Sequence, residues 1–340
     1  MVRQADNLKR PCITIRISIE KKLMGEKKTH YGILGMGSIG TVFSVLLKQA
    51  GHRVSVLERV SSKAAFIRGH LLKLSGELTG EAGPFESYTK PEDLIRENPD
   101  VILVCTKSCN SFELLNEIRK CGPRDATIFV SCQNGLDVEE QITEVFGANR
   151  SLRMVLNLGC APVSENETQV FFSFVHYLSL KDNIGSVVHK INDDFNAAGI
   201  KTKLIKEYRR EAFKKAILNS AMGSTCAVTG MRMKEAMEHS EISWVIKEII
   251  REAITVAQAM NLGIPAEYFD EAVAYLSKGG NHKPSMLMDI ENKQKTENEY
   301  HCGRIYNLAK EHGVEVPVIQ TIYYLIKRLE AQQGGRGANF

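Results

Sequence analysis

The sequence has no apolar run of the ~20 residues needed to cross a membrane. Its eight cysteines are widely spaced, with no C-x-x-C motif and no paired histidines at zinc spacing. These absences predict a soluble, cytoplasmic protein with no membrane or metal partner. Reduced, packed thiols are the expected state of its cysteines.

There is also little excess charge outside the N-terminus. Residues 1–30 contain eight basic and three acidic residues of a chain with net charge +4, which leaves the remainder at −1. A nucleic-acid groove needs basic side chains gathered on one face, so we expect no nucleic-acid partner. Residues 1–30 lack the apolar core of a signal peptide, and we expect a flexible extension. The alternating isoleucines from Ile13 to Ile19 leave a stray strand open, as does a true start at Met24.

The 340 residues suggest two domains, because a domain has roughly 100–200 residues. From Tyr31, short apolar runs alternate with helical patterns. After Gly147, three neighbouring strands and, beyond a helix near Gly185–Gly199, the segment "KTKLIK" are expected to complete one sheet. Beyond Tyr208 only helical patterns remain. The predicted fold is α/β, with a Rossmann-type dinucleotide-binding domain over residues 31–207 and an all-helical domain over 208–330, followed by a flexible tail over 331–340.

A glycine-rich loop follows the first predicted strand in "GILGMGSIG". Its G-x-G-x-x-G spacing lies between a strand and a helix, where unpaired helix N–H groups bind a dinucleotide pyrophosphate. The alternative is a glycine turn of another α/β protein. The predicted cofactor-binding residues of this loop are Gly35, Met36, Gly37, Ser38, Ile39 and Gly40.

Cofactor choice depends on the end of the second strand, "VLER". Glu58 lies where NAD-binding domains place an acid, but Arg59 follows it, and Lys107 lies beyond the end of another strand. Two cations near one 2′-phosphate favour NADP. The alternative is that both cations are solvated surface charges.

An uncharged stretch of the helical domain begins directly after Lys215. A 3.6-residue period places Lys215, Asn219 and Met222 on one face, nearly opposite Ile217. An amide buried without a partner costs about 1–3 kcal/mol, so this face is predicted to line a pocket for a polar ligand. The alternative is an exposed i, i+4 pair of Glu211 with Lys215, worth about 0.2–0.5 kcal/mol.

A second candidate group lies in "HKPSMLMDIENKQKTENEY". Ser285 and Glu297 are twelve residues apart, or about 18 Å along an unbroken helix. Thr296 and Glu299 have capping-box spacing, which predicts a new helix from Thr296 and a break that brings Ser285 and Glu297 together. Glu297 would then lie in a first helical turn, where the dipole favours an ionised carboxylate. The alternative is a surface acid.

Together these motifs resemble the ketopantoate reductase (2-dehydropantoate 2-reductase) family across both domains. The resemblance is carried by "GMGSIG" with "GHRVSVLER", by Lys107 after "VILVCT", by "CQNG", by Lys215 with Asn219, and by "SMLMDI" followed by "TE" and "HGVEVP". It implies that Arg59 and Lys107 hold the NADP phosphate and that Asn134 of "CQNG" lies near the nicotinamide end.

The resemblance also implies site roles in the helical domain. Lys215 corresponds to the catalytic acid, while Asn219, Ser285 and the catalytic-site residue Glu297 bind or orient the substrate. One departure is Gly223, where family members often have a second asparagine that helps contact the substrate. Another is Cys302, which replaces an asparagine.

The implied activity is NADPH-dependent reduction of 2-dehydropantoate to (R)-pantoate, a step toward pantothenate and coenzyme A. An ammonium at a pocket edge suits that chemistry, because the developing alkoxide needs a positive charge and then a proton. Gly223 leaves a D-2-hydroxyacid dehydrogenase open, and a non-catalytic NADP(H) sensor is a further alternative. The expected partners are a small 2-oxo acid and, in a homodimer, a second copy of the chain.

Overall fold

The computed structural model describes residues 28–334. Two sheets and a set of helices make up this part of the chain. In chain order the strands are β1 (His30–Leu34), β2 (Arg53–Leu57), β3 (Leu72–Gly76), β4 (Gly80–Ala82), β5 (Glu86–Tyr88), β6 (Val101–Val104), β7 (Ile128–Ser131), β8 (Ser151–Val155), β9 (Leu158–Pro162), β10 (Glu167–Ser173), β11 (His176–Ser179) and β12 (Thr202–Ile205).

The larger sheet has eight strands in the order β12-β11-β8-β7-β6-β1-β2-β5. Its central strands pair in parallel, and β11 runs antiparallel to β8. Every residue of β1, β6 and β7 is buried, as expected for β-branched strands covered on both faces. The order reverses at β1, so ligands are expected beyond the carboxyl ends of β1 and β6.

The smaller sheet corrects the expectation that all strands after Gly147 complete one sheet. It has the order β4-β3-β10-β9, so β9 and β10 pair away from the strands that follow them. β3 had no counterpart in the predicted βαβ pattern, and its pairing with distant β10 is a long-range contact that local periodicity does not reveal. Strands β8, β11 and β12 do complete the larger sheet.

Helices cover both faces of the larger sheet and build the second domain. They are α1 (Ser38–Gln49), α2 (Ser61–Gly69), α3 (Pro91–Arg96), α4 (Ser111–Lys120), α5 (Glu140–Phe146), α6 (Gly185–Ala197), α7 (Tyr208–Leu218), α8 (Thr225–Thr229), α9 (Met233–Glu238), α10 (Ser240–Ala259), α11 (Tyr268–Ser277), α12 (Ser285–Glu291), α13 (Cys302–Glu311) and α14 (Pro317–Gly334). The predicted α/β fold with a helical C-terminal region is confirmed.

A π-helical turn, Asn219–Ser224, joins α7 to α8. It corrects the predicted helix face, because a wider turn rotates the residues that follow it. Lys215 and Asn219 still share a face, since the Asn219 N–H bonds the Lys215 carbonyl as in an α-helix. Met222, expected beside them, is instead 2% exposed in the core of the helical domain.

The chain ends differ slightly from the expected boundaries. β1 begins at His30, and Thr29 is buried with its hydroxyl bonded to Asp194, so the predicted extension ends before these residues. α14 continues to Gly334, beyond the expected end near Glu330. The Ile13–Ile19 stretch and Met24 lie outside the described residues. Between residues 28 and 334 no helix is long and apolar enough to cross a membrane.

Candidate active site

The glycine-rich loop lies at the carboxyl end of β1 and leads into α1. Gly35 has φ +88°, and a Cβ on Gly40 would lie 2.1 Å from the Gly35 carbonyl oxygen, so strand and helix pack here only without side chains. A Cβ on Gly37 would meet no atom within 4 Å. No side chain caps the N-terminus of α1, so its N–H groups face this open space and fit a pyrophosphate.

The remaining loop residues differ in burial. Met36 is 3% exposed, and its sulfur accepts a hydrogen bond from Ser44. Ser38 and Ile39 are half-buried in the first turn of α1. The side chain of Met36 is therefore not available to a cofactor, whereas its backbone groups are.

The predicted phosphate-binding cations lie at the same sheet edge, each with a carboxylate partner. Arg59 pairs with Glu117 of α4, and Lys107 donates to Asp289 of α12 over 2.6 Å. The Lys107 ammonium also lies 3.1 Å from Gln294 Oε1. Lys107 therefore links the sheet edge to the helical domain. The two cations have no carboxylate partner in common among the described residues.

Glu58 faces away from solvent in the loop after β2. It is 9% exposed, accepts the Val60 N–H over 3.1 Å and pairs with Lys63 at 3.2 Å. Its carboxylate is thus already bonded to local partners, one just before α2 and one within it.

Lys215 lies in the last turn of α7 and points toward the larger sheet. It is half-buried, and its ammonium donates to the carbonyl of Leu156, just after β8. Burial and then the charge of Arg153 lower the pKa of Lys215 to about 7, against smaller opposing effects of Cys160 and Glu297. Glu211 pairs with Arg210 and Lys214 instead, so the alternative of an exposed Glu211–Lys215 pair is wrong.

Asn219 begins the π-helical turn one helical turn after Lys215. It is half-buried, and its side-chain amide has no hydrogen-bond partner within residues 28–334. The amide is not among the buried polar groups left unsatisfied, so it faces accessible space. An amide free to bond a ligand therefore shares a helix face with Lys215.

Glu297 is held by the other domain rather than by a helix. Its Oε1 accepts the N–H of Ser108 over 2.9 Å and lies 2.8 Å from the Ser108 hydroxyl. Burial raises the pKa of Glu297, while the two Ser108 contacts oppose that rise. Glu297 was predicted to lie in the first turn of a helix whose dipole would favour its ionised form. That position is wrong, because α13 begins only at Cys302.

The predicted capping box at Thr296 does not form. The Thr296 hydroxyl accepts only the Asn298 N–H, over 3.1 Å, where a short 3₁₀ turn begins. The backbone N–H of Thr296 donates to Glu330, and Glu299 bonds Tyr323. Partners on α14, far along the chain, replace the local reciprocal bonds of the motif.

Ser285 is the first residue of α12 and is exposed. The predicted break after this helix is present, because α12 ends at Glu291 and the Gln294 N–H turns back to the Asp289 carbonyl. No hydrogen bond within the described chain joins Ser285 to Glu297.

The "CQNG" loop after β7 joins these parts. Asn134 is half-buried, and its carbonyl oxygen lies 3.0 Å from the Ser108 hydroxyl. Gly135 has φ +101°, and its Cβ would lie 2.5 Å from the Tyr300 side chain. The Leu136 N–H donates to the Tyr300 carbonyl over 2.9 Å. Ser108, Asn134 and Glu297 are thereby brought together at the ends of β6 and β7.

Sequence reasoning missed Ser108, Asp289 and Arg153. Ser108 directly follows Lys107 but offers no pattern of its own. Arg153 is a charged residue within "SLRMVL", and a strand buried on both faces tolerates such a charge only with partners. The charge in a buried strand could therefore have identified Arg153 as a residue with partners in the site.

Two family models match the chain in succession. "Ketopantoate reductase PanE/ApbA" matches residues 31–179, and "Ketopantoate reductase PanE/ApbA C terminal" matches residues 207–330. Together they cover more than half of the sequence. The 2-dehydropantoate 2-reductase of Pyrococcus abyssi is 27% identical over 303 residues, which are 89% of this chain and 98% of that protein.

Two solved structures share the fold. The 2-dehydropantoate 2-reductase of Geobacter metallireducens has a TM-score of 0.81 at 22% identity, with 88% of this chain and 99% of that chain covered. A ternary structure of D-mandelate dehydrogenase with NADH and anilino(oxo)acetate has a TM-score of 0.80 at 21% identity, with 90% and 100% covered. The family models span both the sheet domain and the helical domain, and on their evidence the chain belongs to the ketopantoate reductase family of oxidoreductases.

Proposed function

We propose that this protein catalyses the NADPH-dependent reduction of 2-dehydropantoate to (R)-pantoate, in pantothenate and coenzyme A biosynthesis. The observation that supports this most directly is Lys215, whose pKa is lowered to about 7 beside an amide without a partner. A general acid works best when its pKa lies near the operating pH. Lys215 therefore has both the charge and the transferable proton that carbonyl reduction requires.

The cofactor would bind across the glycine-rich loop. The open space at Gly37 and the uncapped N-terminus of α1 fit its pyrophosphate, and Asn134 lies beyond the end of β7, where the nicotinamide end is proposed. When bound, the reduced nicotinamide supplies a hydride to the ketone carbon of the substrate. The glycine-rich loop fits the pyrophosphate because it offers backbone N–H donors and because its glycines have no side chains in the way.

Lys215 would act on the ketone oxygen. As negative charge develops there, the ammonium stabilises it and donates one proton from Nζ, which leaves a hydroxyl group and a neutral amine. The amine then regains a proton from solvent. The amide of Asn219 would hold the same oxygen or the neighbouring carboxylate, because it has no competing partner within the described residues.

Ser285 and Glu297 would complete the substrate site. Ser285 offers an exposed hydroxyl at the start of α12. Glu297 is fixed by Ser108, so its remaining oxygen can accept a hydrogen bond from a substrate hydroxyl. Glu297 also raises the pKa of Lys215, which keeps the acid protonated near neutral pH.

NADPH rather than NADH is proposed from Arg59 and Lys107. Both cations are paired with carboxylates, so a 2′-phosphate would have to compete with Glu117 and Asp289. Glu58 already accepts a hydrogen bond from the Val60 N–H and forms an ion pair with Lys63, so its carboxylate is less available to bind a ribose hydroxyl. A cytoplasmic location and a homodimer remain predictions.

The function is tested by following nicotinamide oxidation with purified protein and a panel of 2-oxo acids. 2-Dehydropantoate with NADPH is expected to give the highest kcat/KM. The panel should include branched and aromatic 2-oxo acids, each with NADPH and with NADH. Cofactor binding without turnover of any 2-oxo acid would favour the sensor alternative.

A D-2-hydroxyacid dehydrogenase is a second candidate, and Gly223 favours it. A Cβ at Gly223 would meet only Met286 Cβ, at 3.9 Å, so the π-helical turn leaves room beside α12. The D-mandelate dehydrogenase that shares this fold was solved with NADH. Higher kcat/KM for an aromatic 2-oxo acid than for 2-dehydropantoate would support this candidate.

A further inference from the structure

Arg153 is a cation buried within the larger sheet. It lies in β8, and its side chain is 2% exposed. Nη1 donates to the Gln133 carbonyl over 2.7 Å and to the Ser131 hydroxyl over 3.2 Å, and Nη2 donates to the Gly135 carbonyl over 3.0 Å. An arginine is always charged in proteins, so a full positive charge is held here.

The acceptors of Arg153 flank one residue of the proposed cofactor site. Gln133 and Gly135 lie on either side of Asn134, and both carbonyls are bonded by the same guanidinium. The planar fork of arginine matches such paired acceptors, whereas a lysine ammonium is a single point charge. The conformation of the loop at the nicotinamide end therefore depends on Arg153.

The neutralisation of this charge is incomplete. The nearest carboxylate oxygen is Glu139 Oε2, 3.7 Å from Nε, and Nε has no hydrogen-bond partner within residues 28–334. Both side chains are almost fully buried. A buried ion pair with this separation is weak evidence that the pair stabilises the fold. The positive charge of Arg153 instead acts on nearby titratable groups.

Lys215 is one of the groups that this charge acts on, because its ammonium donates to the carbonyl of Leu156, three residues after Arg153 in the chain. Arg153 is the second largest cause of the lowered pKa of Lys215, after burial. Cys160 and Glu297 act in the opposite direction. Two buried histidines also face the pair. The pKa of His176 is lowered to about 4 and that of His301 to about 3, so both are neutral at physiological pH.

We propose that Arg153 is a positioning residue that fixes the Gln133–Gly135 loop and electrostatically prepares Lys215 to release its proton. This inference rests on the proposed role of Lys215 as general acid. It assigns two separable effects to one side chain, because the fork holds the loop and the charge acts on the ammonium.

Two variants separate these effects. Arg153→Lys keeps the positive charge but lacks the planar fork that bonds both carbonyls. Arg153→Met combined with Glu139→Gln removes the charge without leaving a buried carboxylate unpaired. Glu139→Gln alone is the matched control, and thermal unfolding checks that each variant folds.

The charge effect is read from a titration that needs no turnover. In protein labelled with ¹³C at lysine Cε, the Lys215 signal is identified by its loss in Lys215→Ala. In the double variant this signal is expected to titrate at higher pH than in Glu139→Gln, and the alkaline limb of the kcat profile is expected to move the same way. An unchanged titration would overturn the electrostatic part.

The loop effect is read from kinetics and binding. Misplacement of a bound group by about 1 Å can cost on the order of 10²-fold in rate, so kcat of Arg153→Lys should fall by up to that factor while its alkaline limb stays in place. NADPH affinity, measured by fluorescence, should fall in both Arg153 variants. Wild-type kcat and affinity in Arg153→Lys would overturn the loop anchor.

Failure of the proposed function gives a different pattern. If wild-type protein reduces no 2-oxo acid, the lysine titration and the NADPH affinity still test Arg153. If Lys215→Ala keeps full turnover while the titration shifts, the general acid is wrong and the coupling of Arg153 to Lys215 stands. If neither readout responds to Arg153, the inference is wrong whatever the reaction.

Discussion

The glycine-rich loop and the surroundings of Lys215 are built in opposite ways. The loop uses backbone groups and empty space, with Gly37 open and α1 uncapped. The surroundings of Lys215 use long side chains whose charges are buried, with Arg153 held on backbone carbonyls. The loop should therefore be sensitive to added volume, and the Lys215 pocket to changes in charge.

Lys215→Ala should have the largest effect, because it removes the proton donor. Positioned proton transfer contributes typically about 10²–10⁴-fold, so kcat should fall by that order, or roughly 3–5 kcal/mol in the barrier. NADPH affinity measured by fluorescence should stay nearly unchanged, because Lys215 lies outside the loop.

Glu211→Ala is the control on the same helix. It pairs with Arg210 and Lys214 and should leave kcat near the wild-type value. If both substitutions had equal, mild effects on kcat, Lys215 would be a surface residue without a catalytic role. The contrast between the glycine-rich loop and the surroundings of Lys215 would then not hold.

Arg59→Ala tests whether charge also matters beside the loop. A hydrogen bond to a charged group is worth about 1.5–3 kcal/mol, so the dissociation constant for NADPH should rise by the equivalent factor while that for NADH changes little. Titration of both cofactors by fluorescence measures the difference. An equal loss for NADPH and NADH would mean that Arg59 does not contact the 2′-phosphate.

Gly40→Ala and Gly37→Ala test the volume argument. A Cβ at position 40 would overlap the Gly35 carbonyl oxygen at 2.1 Å, and overpacking of this kind costs about 1–3 kcal/mol of unfolding free energy. Gly37→Ala meets no atom and should keep wild-type stability while it weakens cofactor binding. Chemical denaturation with and without NADPH separates the two, and equal stability of both variants would refute the steric difference.

A change of one pH unit should alter kcat less than the substitutions above. The pKa of Lys215 is about 7, below its ordinary value, so the folded protein releases this proton as pH rises through 7. The acid form is then lost, and kcat should fall by about tenfold per unit above that pH. A profile that stays flat to pH 10 would mean that another group donates the proton.

The sequence predicted what depends on local pattern. The glycine spacing, the buried strands and the helix face shared by Lys215 and Asn219 follow from periods of two and 3.6 residues and from turn chemistry. The fold class was predicted correctly for the same reason. Family resemblance added site roles that local patterns do not carry.

What the sequence did not reveal depends on distant contacts. Thr296 has the right spacing for a capping box, but Glu330 on α14 takes its N–H. Lys107 was expected at a phosphate, and its partner Asp289 lies 182 residues away. The strands β9 and β10 leave the main sheet because β3 offers another edge. Each outcome is a competition between a local preference and a partner that only the fold brings near.

The π-helical turn Asn219–Ser224 has a consequence for insertions and deletions. A π turn holds one residue more than an α-helical turn, so deleting one residue there would convert it to an ordinary α-helical turn and leave the later side chains facing as they do now. Cys226 would then stay fully buried in the helical core. The same deletion within the α-helical part of α8 would instead rotate every later side chain of the helix by about 100°. The helix can therefore lose a residue at this turn more readily than in its regular segments.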